Sequence, residues 1–113
     1  MTTIFAKIVR GEIPCSKVYE DDYVLAFDDV TPVAPVHVLV IPKVAVVGLA
    51  DVEPAHEVML GRLMLAARKV AQIKGVEASG FRVVMNSGPD AGQSVFHMHL
   101  HVLGGRHLAW PPG

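Results

Sequence analysis

Ser94-Val-Phe-His-Met-His-Leu-His-Val-Leu103 is the stretch whose pattern decides the most. From His97 to Val102, polar and apolar residues alternate strictly, the period of a β-strand with one face on a core. Side chains at i, i+2 and i+4 of a strand project from the same face, so His97, His99 and His101 stand in one row, about 6–7 Å apart, with Met98 and Leu100 behind them. Gly104 and Gly105 close the run. His99, in the middle, is the natural chemical centre, because the outer two can position it or titrate against it. Such a row serves as a metal site of neutral imidazoles, as an acid, base and nucleophile set near neutral pH, or as three satisfied structural histidines.

The neighbouring residues weigh on this choice. No Cys or Glu accompanies the histidines in their strand, although His37 could complete a tetrahedral metal site. Ala91-Gly-Gln-Ser94 leads directly into the row. A loop of that composition is an ordinary turn, or it offers backbone N–H groups and a hydroxyl to an anion. An imidazole nucleophile beside a phosphate cradle is a coherent phosphoryl or nucleotidyl transfer site.

Working outward, Thr3 reads as the N-cap of a short helix with Phe5, Ile8 and Val9 on one face and Gly11 as its stop. SKVYEDDYVLAFDD (Ser16–Asp29) reads as two strands joined at Asp21 and Asp22. Pro32 and Pro35 interrupt the chain before a buried central strand from His37 to Ile41, which Pro42 ends. Asp51, Glu53 and Pro54 announce the main helix, whose stripe is Met59, Leu63, Ala66, Val70 and Ile73, and Gly75 ends it. Phe81–Asn86 reads as a strand, SGPDAG as a loop and Ser94–Leu103 as the last strand, while the tail HLAWPPG has no regular pattern. Strands separated mostly by turns, with one long helix, predict an α+β domain built on an antiparallel sheet.

The 113 residues predict one domain, spanning 1–113. Ten Lys plus Arg against eleven Asp plus Glu leave a formal charge of −1, so no global field favours nucleic acid or an acidic membrane. At 51% apolar residues the chain is too hydrophobic for disorder, and some of that surface is expected in an oligomer. Cys15, the only thiol, excludes an intrachain disulfide and a CxxC metal or redox motif, which points to a reducing compartment. No apolar run approaches the roughly 18 residues of a membrane span, and the N-terminal stretch reaches charge too early for a signal-peptide core. A cytoplasmic protein is expected by default.

HMHLHVL (His97–Leu103) resembles the histidine-triad (HIT) signature, in which His alternates with apolar residues. IFAKIVRGEIP (Ile4–Pro14), APVHVLVIPK (Ala34–Lys43) and GQSVFHMHLHVLGGR (Gly92–Arg106), followed by Trp110-Pro-Pro-Gly113, resemble the Hint branch, the histidine-triad nucleotide-binding proteins. The resemblance covers nearly the whole chain. It implies a HIT-like fold, a five-stranded antiparallel sheet with one long and one short helix. It also implies a homodimer to which the main helix and the Trp110 tail contribute.

In function the resemblance implies a purine nucleoside phosphoramidase that needs neither metal nor cofactor. His99 would attack the α-phosphorus of an adenosine or guanosine phosphoramidate, forming a nucleotidyl-histidine intermediate that water then hydrolyses. His37, His97 and His101 would orient His99 or manage protons. Asn86, Gly92 and Ser94 would contact phosphate, Asp29 would accept from both ribose hydroxyls, and Ile4, Phe5, Ile8, Ile13, Phe27, Val30 and Leu39 would enclose the purine. Two other functions share these residues. One is dinucleoside polyphosphate hydrolysis, which the WPPG ending disfavours, and the other is nucleotide binding with incidental turnover.

Departures from the family pattern are Ala91 where Gly is common, Val44 and Ala45 where a basic residue and His are common, and His107-Leu-Ala109 before Trp110. The second removes a nearby cation and leaves the triad whole. Without partners in sequence, His56 and His107 read as surface residues and Cys15 as packing.

Overall fold

The computed structural model describes residues 2–113. Its β-rich run of branched residues, β3 (Val36–Pro42), lies at the middle of a five-stranded antiparallel sheet, with every residue from His37 to Pro42 buried. Strand β1 (Lys17–Glu20) pairs with β2 (Val24–Asp28), and β2 with β3. On the other side β5 (Leu100–Gly104) pairs with β3, and β4 (Phe81–Val84) forms the far edge, giving the order β1-β2-β3-β5-β4. The Asp21 carboxylate accepts from the N–H groups of Tyr23 and Val24 at 2.8 and 3.0 Å, which closes the β1–β2 hairpin at the acidic pair, as its sequence predicts.

Helix α2 (Glu57–Ile73) covers one face of the sheet. Met59, Leu63, Ala66, Ala67 and Val70 pack there on Val24, Ala26, Val38, Val40, Met98, Leu100 and Val102. Ile73, read as part of that stripe, is instead 48% exposed in the last helical turn. Helix α1 (Ile4–Val9) lies on the opposite face. Six residues make too short a helix to persist alone. The Thr3 hydroxyl caps it by accepting from the Ala6 N–H at 3.1 Å, and Phe5 anchors it on Leu25, Phe27, Leu39 and Ile41.

Several boundaries differ from the sequence reading. The last strand begins at Leu100, not Ser94, because β3 supplies partners only for Leu100–Gly104. Its alternation nevertheless extends back: Met98, Leu100 and Val102 enter the α2 core, leaving His97, His99 and His101 for the α1 side. Strand β4 stops at Val84 rather than Asn86, since its register with β5 ends at His101. Pro42 is the last residue of β3 rather than its terminator, and it faces Val24 on the neighbouring strand. The main helix begins at Glu57 after single turns at Leu49–Asp51 and Pro54–His56. His56 is not a free surface residue there, for its Nδ1 accepts from the Glu53 N–H at 3.0 Å and caps the turn. His107 is exposed. Among the described residues no helix is long and apolar enough to cross a membrane.

Candidate active site

Four histidines converge where β3, β5 and the segment before β5 meet α1. His37, His97 and His99 are buried, and His101 is partly buried. The partners of each ring nitrogen assign its proton, since a carbonyl oxygen can only accept and a backbone N–H can only donate.

His99 Nδ1 lies 2.8 Å from the His97 carbonyl and donates to it. The lone pair of His99 therefore resides on Nε2. The Phe5 ring stands edge-on against His99, with centroids 5.1 Å apart and planes at 90°, which fixes the imidazole from the α1 side. His97 turns its own Nε2 to the Pro42 carbonyl at 2.8 Å and donates there. Burial holds His97 below the usual histidine range, which keeps it neutral.

The second pair is set by backbone too. The Val33 N–H donates to His37 Nδ1 at 3.1 Å, so the His37 proton sits on Nε2. That atom is 2.9 Å from His101 Nδ1 and 3.3 Å from Asp29 Oδ2. His101 thus accepts on Nδ1 and carries its proton on Nε2. Desolvation first, then the neighbouring charges of His99 and His37, push His101 down to about 4, against a smaller opposing effect of Asp29. Its ring centroid lies 5.0 Å from that of His99. Asp29 is oriented by its own turn, accepting from the Thr31 N–H at 2.8 Å on Oδ1. Asp29, His37 and His101 form a polar chain, and the His101 ring packs against that of His99.

This cluster opens on a cavity of about 700 Å³, a size that accommodates a nucleoside. Its wall includes Ile4, Phe5, Ile8, Ile13, Phe27, Val30 and Leu39, the apolar set quoted from sequence, together with Asp29, His37, His99 and Ser94. Asn86, Gly92, His97 and His101 lie outside the wall. Asn86 follows the end of β4, and Gly92 closes the single turn Pro89–Ala91 in the left-handed region at φ 80°, which glycine adopts without a Cβ penalty.

The wall also holds Pro14, Cys15, Ser16, Thr31, Val33 and Val95, which the sequence reading did not assign. Pro14 ends the quoted IFAKIVRGEIP stretch and Cys15 and Ser16 follow it, so extending the reading by two residues would have found them. Val33 acts through its backbone, a role with no side-chain signature. Burial raises the Cys15 thiol, consistent with packing rather than reactivity.

A hydrogen-bonded cluster of imidazoles beside a nucleoside-sized cavity is the architecture of a nucleotide-handling hydrolytic centre. A model of the HIT domain matches residues 10–108, and the chain belongs to the HIT family and is a hydrolase of its Hint branch. It is 53% identical over 113 residues to adenylylsulfatase HINT1 of Arabidopsis thaliana, covering 98% of this chain and 76% of that protein. It is also 53% identical to a 14 kDa zinc-binding protein of Brassica juncea, covering 98% and 99%. A HIT family hydrolase from Legionella pneumophila superposes with a TM-score of 0.96 at 44% identity, covering 99% of this chain and all of that one.

The name of the Brassica protein raises the question of zinc. Donor atoms of Asp29, His37 and His101 do lie within 4.8 Å of one another. Zinc takes an imidazole lone pair, and His37 directs a proton, not a lone pair, at that point because Val33 occupies Nδ1. The His101 Nδ1 lone pair is in turn engaged by His37. The cluster as built does not fit a metal ion.

Proposed function

We propose that this protein hydrolyses the P–N bond of purine nucleoside 5'-phosphoramidates through a covalent intermediate on His99. The observation that carries the reading is the His99 ring at the wall of a nucleoside-sized cavity, its Nδ1 proton committed to the His97 carbonyl and its Nε2 lone pair left for attack. The name of the adenylylsulfatase relative supports an adenylyl-bearing substrate.

His99 Nε2 forms a bond to the α-phosphorus as the P–N bond breaks, and the leaving amine takes up a proton supplied along the path through His101. The positive charge gained by the His99 ring is stabilised by the His97 carbonyl, which accepts from the Nδ1–H that His99 retains. Water then attacks phosphorus, the P–Nε2 bond breaks, a water proton returns to the path, and the nucleoside monophosphate departs. The apolar wall holds the purine, Asp29 accepts from the ribose hydroxyls, and the turn carrying Gly92 and Ser94, with Asn86 beside it, faces the phosphate. The exposed apolar residues Val58, Met64, Leu65 and Ile73 of α2 support burial of that helix in a homodimer.

The test is turnover of an adenosine phosphoramidate carrying a fluorescent amine, with EDTA present, for wild type and His99→Asn. A robust wild-type rate that falls at least about a thousandfold in the variant is expected. Equal rates would overturn the reading, as would faster wild-type hydrolysis of a dinucleoside polyphosphate, which would make polyphosphate cleavage the reaction. Tight AMP binding with no turnover of any amidate would make the protein a nucleotide-binding module.

A further inference from the structure

Gln93 has no part in the roles above, yet among the described residues it is one of four buried polar ones, at 6% exposure. Its amide is fully used. Oε1 accepts from the Gly88 N–H at 3.0 Å, and Nε2 donates to the Val47 carbonyl at 2.6 Å and to the Val95 carbonyl at 3.1 Å. Its backbone N–H also donates to the Gly88 carbonyl at 3.2 Å. Among the described residues, every hydrogen bond from the Gly88–Ser94 turn to a distant part of the chain runs through this side chain. Space is kept for it: a Cβ on Gly48 would lie 3.1 Å from Oε1. One residue beyond Gln93, Ser94 lines the cavity, and the anchored segment Val46–Val47 also receives the Met98 N–H at 2.7 Å, immediately before His99.

We infer that Gln93 is a positioning residue that locks the Gly88–Ser94 turn at phosphate-binding distance, so that it sets affinity for the phosphate of the ligand and not for its nucleoside. The inference rests on the phosphate-facing role proposed for Gly92 and Ser94. Among the described residues the only other tether at this point is the Ala50 N–H to the Ser87 hydroxyl at 3.3 Å, just before the turn begins, so the stretch from Gly88 to Ser94 shifts when the Gln93 amide is lost, and errors near 1 Å suffice to spoil phosphate contacts. Of the apolar residues assigned to the purine, Ile4, Phe5 and Ile8 lie on α1, Phe27 on β2 and Leu39 on β3, and none of them bonds Gln93; the one apolar wall residue that Gln93 holds is Val95, through its backbone carbonyl.

The experiment compares the dissociation constants of AMP and adenosine, by calorimetry, for the full-length wild type and three variants. Gln93→Met keeps the shape and removes all three side-chain bonds. Gln93→Glu sets a carboxylate against the Val47 and Val95 carbonyls, and its protonation at low pH restores one donor. Gly48→Ala presses on the same amide from the other side, leaves its chemistry intact, and carries the comparison if either Gln93 variant fails to fold. AMP affinity is expected to fall about tenfold in Gln93→Met and Gln93→Glu and a few-fold in Gly48→Ala, with adenosine affinity within twofold of wild type throughout. Burial against two carbonyls raises that carboxyl well above the ordinary glutamate value of about 4.3, so the Gln93→Glu deficit relative to wild type should narrow as the pH falls from 8 to about 5.5. AMP affinities at the wild-type level, or equal losses for AMP and adenosine, would overturn the inference and leave Gln93 as general fold support. A wild type that binds AMP no better than adenosine would instead overturn the phosphate-facing reading on which it rests.

Discussion

Replacing His97 by Phe separates the ring of the first triad histidine from its backbone. The ring is 1% exposed, and its one polar contact is the donation from Nε2 to the Pro42 carbonyl at 2.8 Å. Phe keeps an aromatic disc beside Phe5, whose ring lies 6.4 Å away, and leaves the Pro42 carbonyl without that donor. A buried acceptor stripped of its partner costs about 1–3 kcal/mol. Taking about 2 kcal/mol, and about 4 °C per kcal/mol for a domain of this size, the melting temperature should fall by about 8 °C. The His97 carbonyl that orients His99 survives the substitution, so turnover of folded protein should stay within about threefold of wild type, in contrast to His99→Asn. His97→Gln, whose Nε2 reaches the position of the imidazole Nε2, should recover most of the lost stability. The assay is a thermal melt paired with steady-state hydrolysis of the fluorescent amidate well below the melting point. A turnover loss of a hundredfold with an unchanged melt would refute the reasoning, because it would place the His97 ring in the chemistry.

Two further outcomes follow from the same geometry. Because folding lowers His101 from 6.5 to about 4, the unfolded chain takes up the proton first, so His101 contributes stability above pH 6.5 that is lost as pH falls from 6.5 towards 4; His101→Asn should flatten this part of a melting-temperature profile, and an unchanged slope would refute it. Leu63→Ala, at a residue 1% exposed in the α2 core and on the sheet face opposite α1, should cost about 3 kcal/mol in denaturant unfolding while leaving turnover unchanged below the transition; a selective loss of turnover would show that α2 communicates with the site.

What could be read from sequence follows the distinction between side chains and backbone. The alternation of His97 to Leu103 placed three imidazoles on one face, and this holds even where the assigned strand has not yet begun, because Met98 and Leu100 are drawn into the α2 core regardless of ladder pairing. The helical stripe, the acidic hairpin and the Thr3 cap were legible for the same reason, since each is a property of side-chain type and spacing. Strand ends were not. Whether Asn86 or Ser94 joins the sheet depends on how far β5 and β3 extend as partners, a long-range fact that no local pattern carries. Ile73 shows the converse limit, because periodicity places it in the stripe while the sheet beneath gives it nothing to cover.

The triad motif alone is also insufficient to make a nucleophile. Imidazole has two nitrogens, and nothing in His-x-His-x-His says which one bears the proton. Here backbone atoms settle it: the His97 carbonyl accepts from His99 Nδ1–H, the Pro42 carbonyl accepts from His97 Nε2–H, and the Val33 N–H, donating to Nδ1, leaves the His37 proton on Nε2. The His99 tautomer is set locally, two residues away, whereas those of His97 and His37 exist only once β3, the Thr31–Val33 loop and the run into β5 have packed together. The same arrangement turns three metal-like donors into a hydrogen-bonded chain by filling the lone pairs that an ion would need. A substitution that moved the Val33 amide would therefore alter the chemistry of His37 without touching any histidine.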